Sequence, residues 1–392
     1  MKLLIISHTA HYKKDESYVG WGSTIREINH LARLFDKVVH LAPLHKKDAP
    51  GSSLPYTANN FRYAPVTPAG GNSLREKLTI LRSIPGWLSS MKREMGGADI
   101  LHIRCPAGIS LLALIAARLW FKDKPIWVKY GGSWASYPEQ PLTYKIQRWY
   151  LKNNFHHGIV TVNGHWRDQP DHVCTFQNPA YSYEEYQSAV LSASKKRLCF
   201  PVNLIFVGRL DDAKGVDRIL RIAKKMYEEE IDFRLTCVGD GKKRQEYIAF
   251  VQKHGMENIF YFAGWQPRTK LPTYYEKAHL FLFPSITEGW PKVLSEAMAY
   301  GVVPVASSVG SIPEILAKTG AGVSIDSDSA EEYIKAIKTF CYNPLLWKKS
   351  SENGTQAASK FTYENYLQAI KEKIFFNWNI ELNYETQVQN NE

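Results

Sequence analysis

The chain has 392 residues, of which 44% are hydrophobic and 13% aromatic. This composition is that of a folded globular protein, and the length is best divided between two domains. The five cysteines are odd in number and include no CxxC pair, which argues against a disulfide framework or a cysteine zinc site and favours a reducing compartment. The sequence contains no apolar run long enough for a membrane span. We therefore expect a cytoplasmic protein that at most lies on the inner face of a membrane.

The net charge of +11 is distributed unevenly along the chain. Residues 1–200 contain 26 Lys and Arg against 14 Asp and Glu, whereas the remainder contains 23 against 24. A basic half of this kind favours an anionic partner such as a membrane surface, a lipid diphosphate or a nucleic acid, although a solvated basic surface is the simpler interpretation. Because no basic motif is interleaved with aromatic residues, we expect no nucleic-acid partner.

Short apolar runs alternate with helical patterns in both halves, which is typical of parallel α/β architecture. In the first half the pattern predicts strands at 2–6, 37–42, 100–103, 126–130 and 158–162, and helices at 24–35 and 108–120. In the second half it predicts strands at 202–207, 233–238, 259–262, 280–283 and 303–306, with helices near 215–230, 242–254, 270–278 and 291–300. We assign residues 1–197 to an N-terminal domain, 198–360 to a C-terminal domain, and 361–392 to a helix that packs on the first domain and a loose tail.

Three other segments are interpreted from composition. The polar stretch 178–197 is the expected linker, and residues 43–73 are rich in Pro, Gly, Ser and Asn and predict a long loop. Residues 74–95 combine apolar and basic side chains, a composition that suits anionic lipid. We favour burial of 74–95 against the first sheet, and expect Pro85-Gly86 to break any single helix there.

Ligands of open parallel sheets bind beyond the carboxyl ends of the strands, so the loops there are the candidate sites. The loop after residue 207 has Gly208 for a sharp turn, followed by Arg209 and Lys214. These two cations suit a diphosphate, although a surface turn with solvated cations is an alternative. Gly239 and Trp265 follow the next two strands, and Trp265 could form a wall for a nucleotide base.

Residues 284–301 have the strongest pattern in the sequence. Glu288 and Gly289 lie in a loop after a predicted strand, and Pro291 suits the first position of a helix. Glu296 lies roughly one turn into that helix, where it could accept the hydroxyl groups of a ribose, and Glu288 could accept those of a sugar. An anion would face the free amides at the helix N-terminus, which are those of Lys292, Val293 and Leu294.

The pattern Glu288-x7-Glu296, followed by Gly301 and Pro304, resembles the donor signature of the family-four retaining glycosyltransferases. Gly208-Arg209-Leu210 with Lys214-Gly215 is similar to that family's diphosphate-binding segment. The resemblance covers residues 200–320 and implies a GT-B fold, in which two Rossmann-like parallel-sheet domains face an interdomain cleft. It implies that Arg209 and Lys214 hold the diphosphate, Glu296 the ribose and Glu288 the transferred sugar, without an essential metal.

The same resemblance places the acceptor side in the first half. Gly20-Trp21-Gly22-Ser23 resembles the family's first glycine-rich loop, although a flexible loop with an N-cap at Ser23 or Thr24 is an alternative. Tyr130 stands where many members have a histidine near the sugar. Further candidates for the acceptor side or the sugar are Gly131 and Gly132, through their backbone, and His102 and Arg104, which are expected to follow a strand.

The sequence thus predicts retaining transfer of a sugar from a nucleotide-diphosphate donor, for which UDP is favoured. A glycan or a lipid-linked molecule is the expected acceptor, in cell-surface polysaccharide biosynthesis. We expect no metal or other cofactor, because cations and oriented amides can neutralise the leaving diphosphate. Two alternatives stay open: a nucleotide-sugar epimerase of the same fold, and a non-catalytic basic protein that binds membranes or nucleic acid.

Overall fold

The computed structural model describes residues 1–70, 74–135, 140–166 and 169–378, and for 74–78 the backbone alone. Within these residues the chain forms two compact units. The first contains Met1–Val162, Arg167–Phe176 and the segment from Asn365, and the second contains Asn163–Trp166 and Gln177–Glu364. The second unit therefore starts earlier than the predicted boundary at 198. The tail predicted to be loose, from 383, lies outside the described residues.

The first unit is built on one large sheet of ten described strands. The strands are β1 (Lys2–Ile6), β2 (His11–Lys14), β3 (Ser17–Trp21), β4 (Lys37–His45), β5 (Ser53–Pro55), β6 (Phe61–Val66), β7 (Ile100–Cys105), β8 (Ile126–Tyr130), β9 (Ile159–Asn163) and β10 (Val173–Phe176). Their order is β10-β9-β8-β7-β1-β4-β2-β3-β5, and β6 pairs with β4. Every neighbouring pair along the path β6-β4-β1-β7-β8-β9 is parallel. Strand β3, in contrast, pairs antiparallel with both β2 and β5.

Four helices of the first unit connect these strands: α1 (Gly22–Leu31), α2 (Leu74–Gly96), α3 (Gly108–Trp120) and α4 (Leu142–Lys152). The central strands are buried on both faces, which explains why β1 is a continuous apolar run rather than an alternating one. The prediction of one long loop over 43–73 was wrong in part, because β5 and β6 lie there. Both strands alternate polar with apolar residues over a few positions, too short for a clear periodic signal.

Helix α2 corrects a second expectation, since it continues through Pro85 from Leu74 to Gly96. Its interior side chains Trp87, Met91 and Met95 are all buried. The apolar burial of this face offsets the hydrogen bond that the proline removes. The favoured burial of this segment is confirmed for these residues.

The second unit has a six-stranded sheet in the order β13-β12-β11-β14-β15-β16, with every pair parallel. The strands are β11 (Val202–Val207), β12 (Phe233–Val238), β13 (Phe260–Gly264), β14 (Leu280–Phe283), β15 (Val303–Ser307) and β16 (Val323–Ile325). The helices are α5 (Tyr183–Ser194), α6 (Val216–Glu228), α7 (Arg244–Lys253), α8 (Leu271–Lys277), α9 (Lys292–Ala299), α10 (Ile312–Thr319), α11 (Ala330–Cys341) and α12 (Pro344–Ala358). Because the chain builds outward from β11 to β13 and then returns to β14 on the other side of β11, the switch point of this sheet lies between β11 and β14.

Two segments at the unit boundaries have defined structure. The predicted linker 178–197 contains α5, whose start is fixed by a capping box between Ser182 and Glu185. The last described helix, α13 (Tyr363–Ile370), continues into turns that end at Trp378. Its residues Tyr366 and Ile370 belong to the core cluster of the first unit, together with Leu3 of β1. Among the described helices none is both long enough and apolar enough to cross a membrane.

Candidate functional site

The loop after β11 brings the two predicted cations to the switch point. Arg209 forms an ion pair with Asp211, two residues on, and its side chain remains 67% exposed. A short 3₁₀ turn then ends at Lys214, whose backbone N–H donates to the Asp211 carboxylate at 3.0 Å. Asp211 therefore fixes the loop at both ends and leaves the Arg209 guanidinium open to a ligand.

The loop after β14 joins the loop after β11 through an ion pair. The Lys214 ammonium donates to Oε1 of Glu288, although the two residues are 74 positions apart in sequence. The Ser285 hydroxyl donates to the same carboxylate oxygen at 2.9 Å. Glu288 is 11% exposed and Lys214 is 27% exposed, so the pair is sheltered yet reachable from solvent. The structure thus brings two predicted site residues into contact at the switch point.

Three glycines allow the loops to approach one another closely. A Cβ on Gly215, which has φ +75°, would lie 1.9 Å from the carbonyl oxygen of Pro284. A Cβ on Gly239 would lie 1.8 Å from the Gly208 carbonyl oxygen, so the loops after β11 and β12 are also in direct backbone contact. Gly310, at φ +61°, would place a Cβ 2.3 Å from the carbonyl oxygen of Glu288. Side chains at these positions would push the loops apart.

The loop between Glu288 and α9 is fixed from the other side as well. Both the backbone N–H and the hydroxyl of Ser311 donate to the Gly289 carbonyl at 3.0 Å. The Trp290 indole N–H donates to the hydroxyl of Ser295 at 2.7 Å, and its ring is buried. Glu288 is therefore placed by a rigid loop, as a side chain that must hold a ligand in one orientation requires.

Glu296 is buried and both of its carboxylate oxygens have partners. Arg268 donates to Oε1, and the Tyr275 hydroxyl donates to Oε2 at 3.1 Å. Burial, and then the neighbouring Glu296 carboxylate, raise the pKa of Tyr275 well above its usual range, so this hydroxyl stays protonated and remains a donor. Since each carboxylate oxygen has two lone pairs, Glu296 keeps acceptor capacity for ribose hydroxyls, and the predicted ribose contact stays a prediction.

Arg268 and Tyr275 were not predicted from the sequence. Arg268 also donates to the Ala180 carbonyl at 2.8 Å, so it ties α9 to the segment before α5. Its only sequence signal is its position four residues after Gly264, in a loop that follows a strand. Loop arginines are common, and nothing in the sequence shows that this one meets Glu296.

The N-terminus of α9 differs from the prediction. Pro291, expected at the first helical position, is the N-cap and has extended backbone angles of φ −75° and ψ 128°. The N–H of Leu294 donates to the Pro291 carbonyl at 3.1 Å, so this amide is not free for an anion. The Lys292 ammonium lies 5.9 Å from the centre of the Tyr363 ring, and Val293 is half-buried. An anion at this helix end would therefore have at most the first two amides.

The remaining donor-side candidates lie on the loops after β12 and β13. The Gly239 N–H donates to the Gly264 carbonyl at 2.8 Å, which joins the two loops. Trp265 follows immediately and is 46% exposed. An indole that is this exposed offers aromatic surface to a planar base.

In the first unit, the predicted glycine-rich loop is largely ordered structure. Gly20 and Trp21 end β3, and α1 begins at Gly22, whose N–H donates to the Ser52 carbonyl at 3.0 Å. The N-cap is Trp21, without a side-chain cap bond, so the interpretation of Ser23 or Thr24 as the N-cap was wrong. Both residues lie inside the helix, because the strand leads directly into it.

His102 lies within β7, inside the strand predicted at 100–103, so the expectation that it follows a strand was wrong. The imidazole is fully buried and its ring centre lies 3.9 Å from that of Trp127. Burial, and then the charge of Arg104, lower the pKa of His102 well below its usual value, so the ring is neutral. A buried histidine in this position cannot contact an acceptor, and we assign it to the core.

Arg104 also lies within β7, and it belongs to a buried charge network. Its guanidinium donates to Oε1 of Glu27, in α1, at 2.8 Å. The same oxygen receives the Lys129 ammonium at 2.6 Å and the Tyr366 hydroxyl at 3.2 Å. Removing one partner would leave a buried charge uncompensated, so the network holds these side chains in one arrangement. A contact of Arg104 with an acceptor stays a prediction.

The segment after β8 is partly buried. Tyr130 is 1% exposed and packs edge-on against Trp134, with ring centres 5.1 Å apart. Its burial argues against the predicted sugar contact. The Gly131 N–H donates to the Cys105 carbonyl at 2.8 Å, whereas Gly131 itself is exposed and Gly132 is half-buried. The backbone of Gly131 and Gly132 can therefore contact a ligand, whereas the buried side chain of Tyr130 cannot.

Across the parts of the chain that the structure describes, no group of three or more His, Cys, Asp or Glu residues is arranged to hold a metal ion. The second unit offers the exposed Arg209 guanidinium and the Lys214 ammonium to an anion, and the buried Glu296 carboxylate to hydroxyl groups. This set can hold a diphosphate with adjoining hydroxyl groups.

Comparison with known proteins defines the class of this domain. Residues 201–360 match the family model described as glycosyl transferases group 1. The resemblance seen in residues 200–320 is confirmed by this match, which covers the second half of the chain up to residue 360. In sequence, the chain is 28% identical over 147 residues to WcaL of Salmonella typhimurium, a glycosyltransferase whose name assigns it to colanic acid biosynthesis, and the match covers 36% of each chain. The matches span less than half of the length of each curated relative, between 36 and 48%.

Solved structures resemble the chain over nearly its full length. Sucrose-phosphate synthase from Thermosynechococcus elongatus aligns with a TM-score of 0.71 and 15% identity, and covers 96% of this chain and 98% of its own. HepE from Anabaena, solved in complex with UDP and glucose, aligns with a TM-score of 0.65 and 16% identity, and covers 95% and 98%. At this identity the likeness shows the fold alone, and it confirms the predicted GT-B class.

Proposed function

We propose that this protein is a retaining glycosyltransferase that uses a nucleotide-diphosphate sugar, with UDP favoured as the nucleotide. The observation that carries the proposal is the Lys214–Glu288 pair at the switch point of a group 1 domain. We propose a glycan or a lipid-linked molecule as the acceptor, in cell-surface polysaccharide biosynthesis. The HepE complex with UDP and glucose supports the donor, and the colanic acid name of WcaL supports the pathway class.

In this proposal the donor lies across the loops after β11, β13 and β14. Arg209 offers a planar fork and Lys214 a point charge to the diphosphate. Glu296 accepts the ribose hydroxyls beside Arg268, and the exposed face of Trp265 borders the base. Glu288, held by Ser285, accepts hydroxyls of the transferred sugar.

The chemical demand on the protein is electrostatic. As the bond between the sugar carbon and the diphosphate oxygen breaks, negative charge grows on the leaving diphosphate, where Arg209 and Lys214 stabilise it. The acceptor hydroxyl forms the new bond on the same face of the sugar, and its proton passes to an oxygen of the departing phosphate. In this arrangement Lys214 contacts both the diphosphate and Glu288. It therefore links the residue that positions the sugar to the stabilisation of the negative charge on the leaving diphosphate. This scheme uses neither a protein base nor a metal ion.

We place the reaction in the cytoplasm, on the inner face of a membrane that the basic first half approaches, and without a nucleic-acid partner. The uneven charge supports this placement, because residues 1–200 contain 26 Lys and Arg but only 14 Asp and Glu. Attraction of such a surface to anionic lipid is an electrostatic effect that salt screens.

The test is a thermal-shift panel of UDP-, GDP- and ADP-sugars, each with and without magnesium. We expect one nucleotide class to raise the melting temperature of the wild-type chain, and Arg209→Ala to abolish that shift. Arg221→Ala is the matched control, since Arg221 is similarly exposed and pairs with Asp217 on α6.

Two outcomes would contradict the proposal. One is the absence of a shift with every donor at millimolar concentration, and the other is an equal shift in Arg209→Ala. Product analysis separates the epimerase alternative, because an epimerase converts the donor sugar without an acceptor and releases no nucleoside diphosphate. Retention of anomeric configuration is read from the proton NMR spectrum of the glycosylated product.

A further inference from the structure

The carboxylate of Glu296 is held by two donors that come from one short stretch of the chain. Arg268 begins the 3₁₀ turn that precedes α8, and Tyr275 lies within α8. The guanidinium donates to Oε1, whereas the tyrosine hydroxyl donates to Oε2 at 3.1 Å. Because each oxygen has a donor of its own, the carboxylate cannot turn about its terminal bond without breaking a hydrogen bond. Its plane is therefore fixed before any ligand arrives.

The two donors are themselves held in place. The ring of Tyr275 is 1% exposed and stacks on that of Tyr300, with ring centres 5.7 Å apart. The second terminal amino group of Arg268 donates to the Ala180 carbonyl at 2.8 Å, so the guanidinium bridges two partners. Side chains that are locked by packing and by further hydrogen bonds can hold a binding group in one orientation.

The fixed carboxylate keeps room for two more donors. In the described part of the chain each of its oxygens has one donor and therefore one further lone pair. The side chain of Glu296 is 9% exposed and that of Arg268 beside it 32%, so the pair is sheltered but reachable from solvent. Two neighbouring hydroxyl groups on one face of a ring, such as the 2′- and 3′-hydroxyls of ribose, match these two positions. A 2′-deoxyribose has a hydroxyl for only one of them.

We propose that Arg268 and Tyr275 are positioning residues through which Glu296 selects a ribonucleotide donor over a 2′-deoxyribonucleotide donor. UDP-, GDP- and ADP-sugars have the required pair of hydroxyls, whereas thymidine-diphosphate sugars lack one and are disfavoured. The inference rests on the proposed function, from which it takes the contact between Glu296 and ribose. It adds the class of nucleotide and the two residues that determine it.

The size of the discrimination follows from the hydrogen bond that is lost. Without the 2′-hydroxyl, one position on a sheltered carboxylate has no donor, and a site built to bind a hydroxyl group rejects an analogue that lacks it. We expect wild-type protein to bind UDP roughly tenfold or more tightly than 2′-deoxy-UDP. An ion pair that only supports the fold would not distinguish the two nucleotides.

The experiment is a calorimetric titration of UDP and of 2′-deoxy-UDP into the full chain. 2′-Deoxy-UDP is the probe because dTDP also changes the base by a methyl group. Tyr275→Phe keeps the ring and its packing but removes the donor to Oε2, and we expect the ratio of the two affinities to fall to about threefold or less. The same titrations with GDP and ADP and their 2′-deoxy forms cover the other bases.

The matched control is Tyr181→Phe, at another buried tyrosine of the second unit. The Tyr181 hydroxyl donates to the Ala358 carbonyl at 2.7 Å and lies 3.2 Å from the carbonyl oxygen of Ser295, the residue before Glu296. This change removes a buried hydroxyl next to the same helix but leaves the carboxylate with both donors. Its ratio of affinities should equal that of the wild type.

Arg268→Gln is the second variant, and it too should lower the ratio, because Oε1 loses its charged donor. Melting curves show which variants are folded, and Tyr275→Phe decides the test if Arg268→Gln unfolds. Equal affinity of the wild type for the ribose and deoxyribose forms would overturn the inference and leave the proposed function in place. So would an unchanged ratio in the folded variants, even where both nucleotides bind more weakly. Failure of the wild type to bind any of these nucleotides would contradict the proposed function, and this inference with it.

Discussion

At Gly239 the backbone of the second unit leaves no room for a side chain. Its φ is +142°, and a Cβ there would lie 1.8 Å from the carbonyl oxygen of Gly208. The two loops that this contact joins include the one that holds Arg209. A residue outside the catalytic groups therefore determines the position of the site.

We expect Gly239→Ala to lower the free energy of unfolding by roughly 1–3 kcal/mol more than Gly255→Ala, because backbone must move to relieve the clash. Gly255 is the matched control, since it also has a positive φ, +66°, but nothing lies within 4 Å of its Cβ position. Chemical denaturation of both variants measures the difference. Equal losses would show that backbone conformation alone, rather than the contact with Gly208, determines the cost.

A chain of hydrogen bonds runs through the buried edge of the first sheet. His11 Nδ1 lies 2.8 Å from the Thr9 carbonyl, so this nitrogen is the donor, and Nε2 accepts from the Tyr56 hydroxyl at 2.6 Å. Tyr56 in turn accepts from His40 Nδ1 at 2.7 Å, and His40 Nε2 accepts from the Ser7 hydroxyl at 2.7 Å. With both imidazoles neutral, every donor in this chain of hydrogen bonds meets an acceptor.

Burial and the charges of neighbouring histidines and Arg104 explain why the rings are neutral. Burial lowers the pKa of His11 from 6.5 to about 4, and lowers that of His40 well below its usual value. Because the folded pKa of His11 lies below the unfolded value, the unfolded chain takes up the proton first. The stabilisation is complete above pH 6.5 and is lost as the pH falls towards 4.

We therefore expect acid to destabilise the first unit, by up to about 3 kcal/mol for the His11 shift. The melting temperature should fall between about pH 7 and about pH 5, and His11→Gln should show a smaller fall. His165→Gln, at an exposed histidine, is the control and should behave like the wild type. An unchanged pH dependence in His11→Gln would contradict the assignment.

At the residue scale, the sequence predicted which charged residues lie in the site better than it predicted the pairs that they form. Arg209, Lys214 and Glu288 could be identified because they follow strands of a parallel sheet, where ligands bind. The pairing of Arg268 with Glu296 could not, because it depends on how α8 and α9 lie in space. The end of β7 was predicted two residues too early, because the arginine at 104 interrupts the apolar pattern of the strand.

At the scale of elements, α2 shows how tertiary burial overrides local preference. Pro85 lies within the helix and removes one backbone hydrogen bond. Residues 87, 91 and 95, one turn apart, bury their apolar side chains and keep the helix continuous.

This predicts that Pro85→Ala stabilises the chain by roughly 1–3 kcal/mol, because it restores the missing hydrogen bond and removes the ring clash. Pro344→Ala is the control, since Pro344 occupies the first turn of α12, where its N–H would have no helical partner. That change should leave the free energy of unfolding within about 0.5 kcal/mol of the wild type. Loss of stability in Pro85→Ala would mean that the proline ring itself packs against the unit.

The capping box of α5 is visible in the sequence as Ser182-x-x-Glu185, a pattern that indicates a helix start. The polar composition of residues 178–197 led instead to the prediction of a linker. The N-cap of α9 is different, because whether Pro291 is the cap or the first helical residue depends on a single ψ angle. The strands were predicted well where both faces are buried, and poorly at the β2–β3–β5 edge, where half of each strand is polar. Burial on two faces gives continuous apolar runs, and an edge does not.

At the scale of the whole molecule, the sequence predicted the fold class and the parallel series of the second unit. The sequence did not predict the order of the strands, and therefore it did not predict the position of the switch point. Strand order depends on which connection crosses to the other side of β11, here the one between β13 and β14. The unequal charge of the halves was visible in composition, whereas the exposed side chains of α4 could be identified only from the structure.

The central claim is that Lys214 binds the diphosphate of the donor and Glu288 binds its sugar. A calorimetric titration of the nucleoside diphosphate into the wild type, Lys214→Gln and Glu288→Gln tests it most directly. We expect Lys214→Gln to weaken binding about tenfold or more, the loss of one charge-assisted contact. Glu288→Gln should bind within about threefold of the wild type, because this carboxylate contacts only the absent sugar. Equal affinity of all three proteins, or loss in Glu288→Gln alone, would contradict this account of the site.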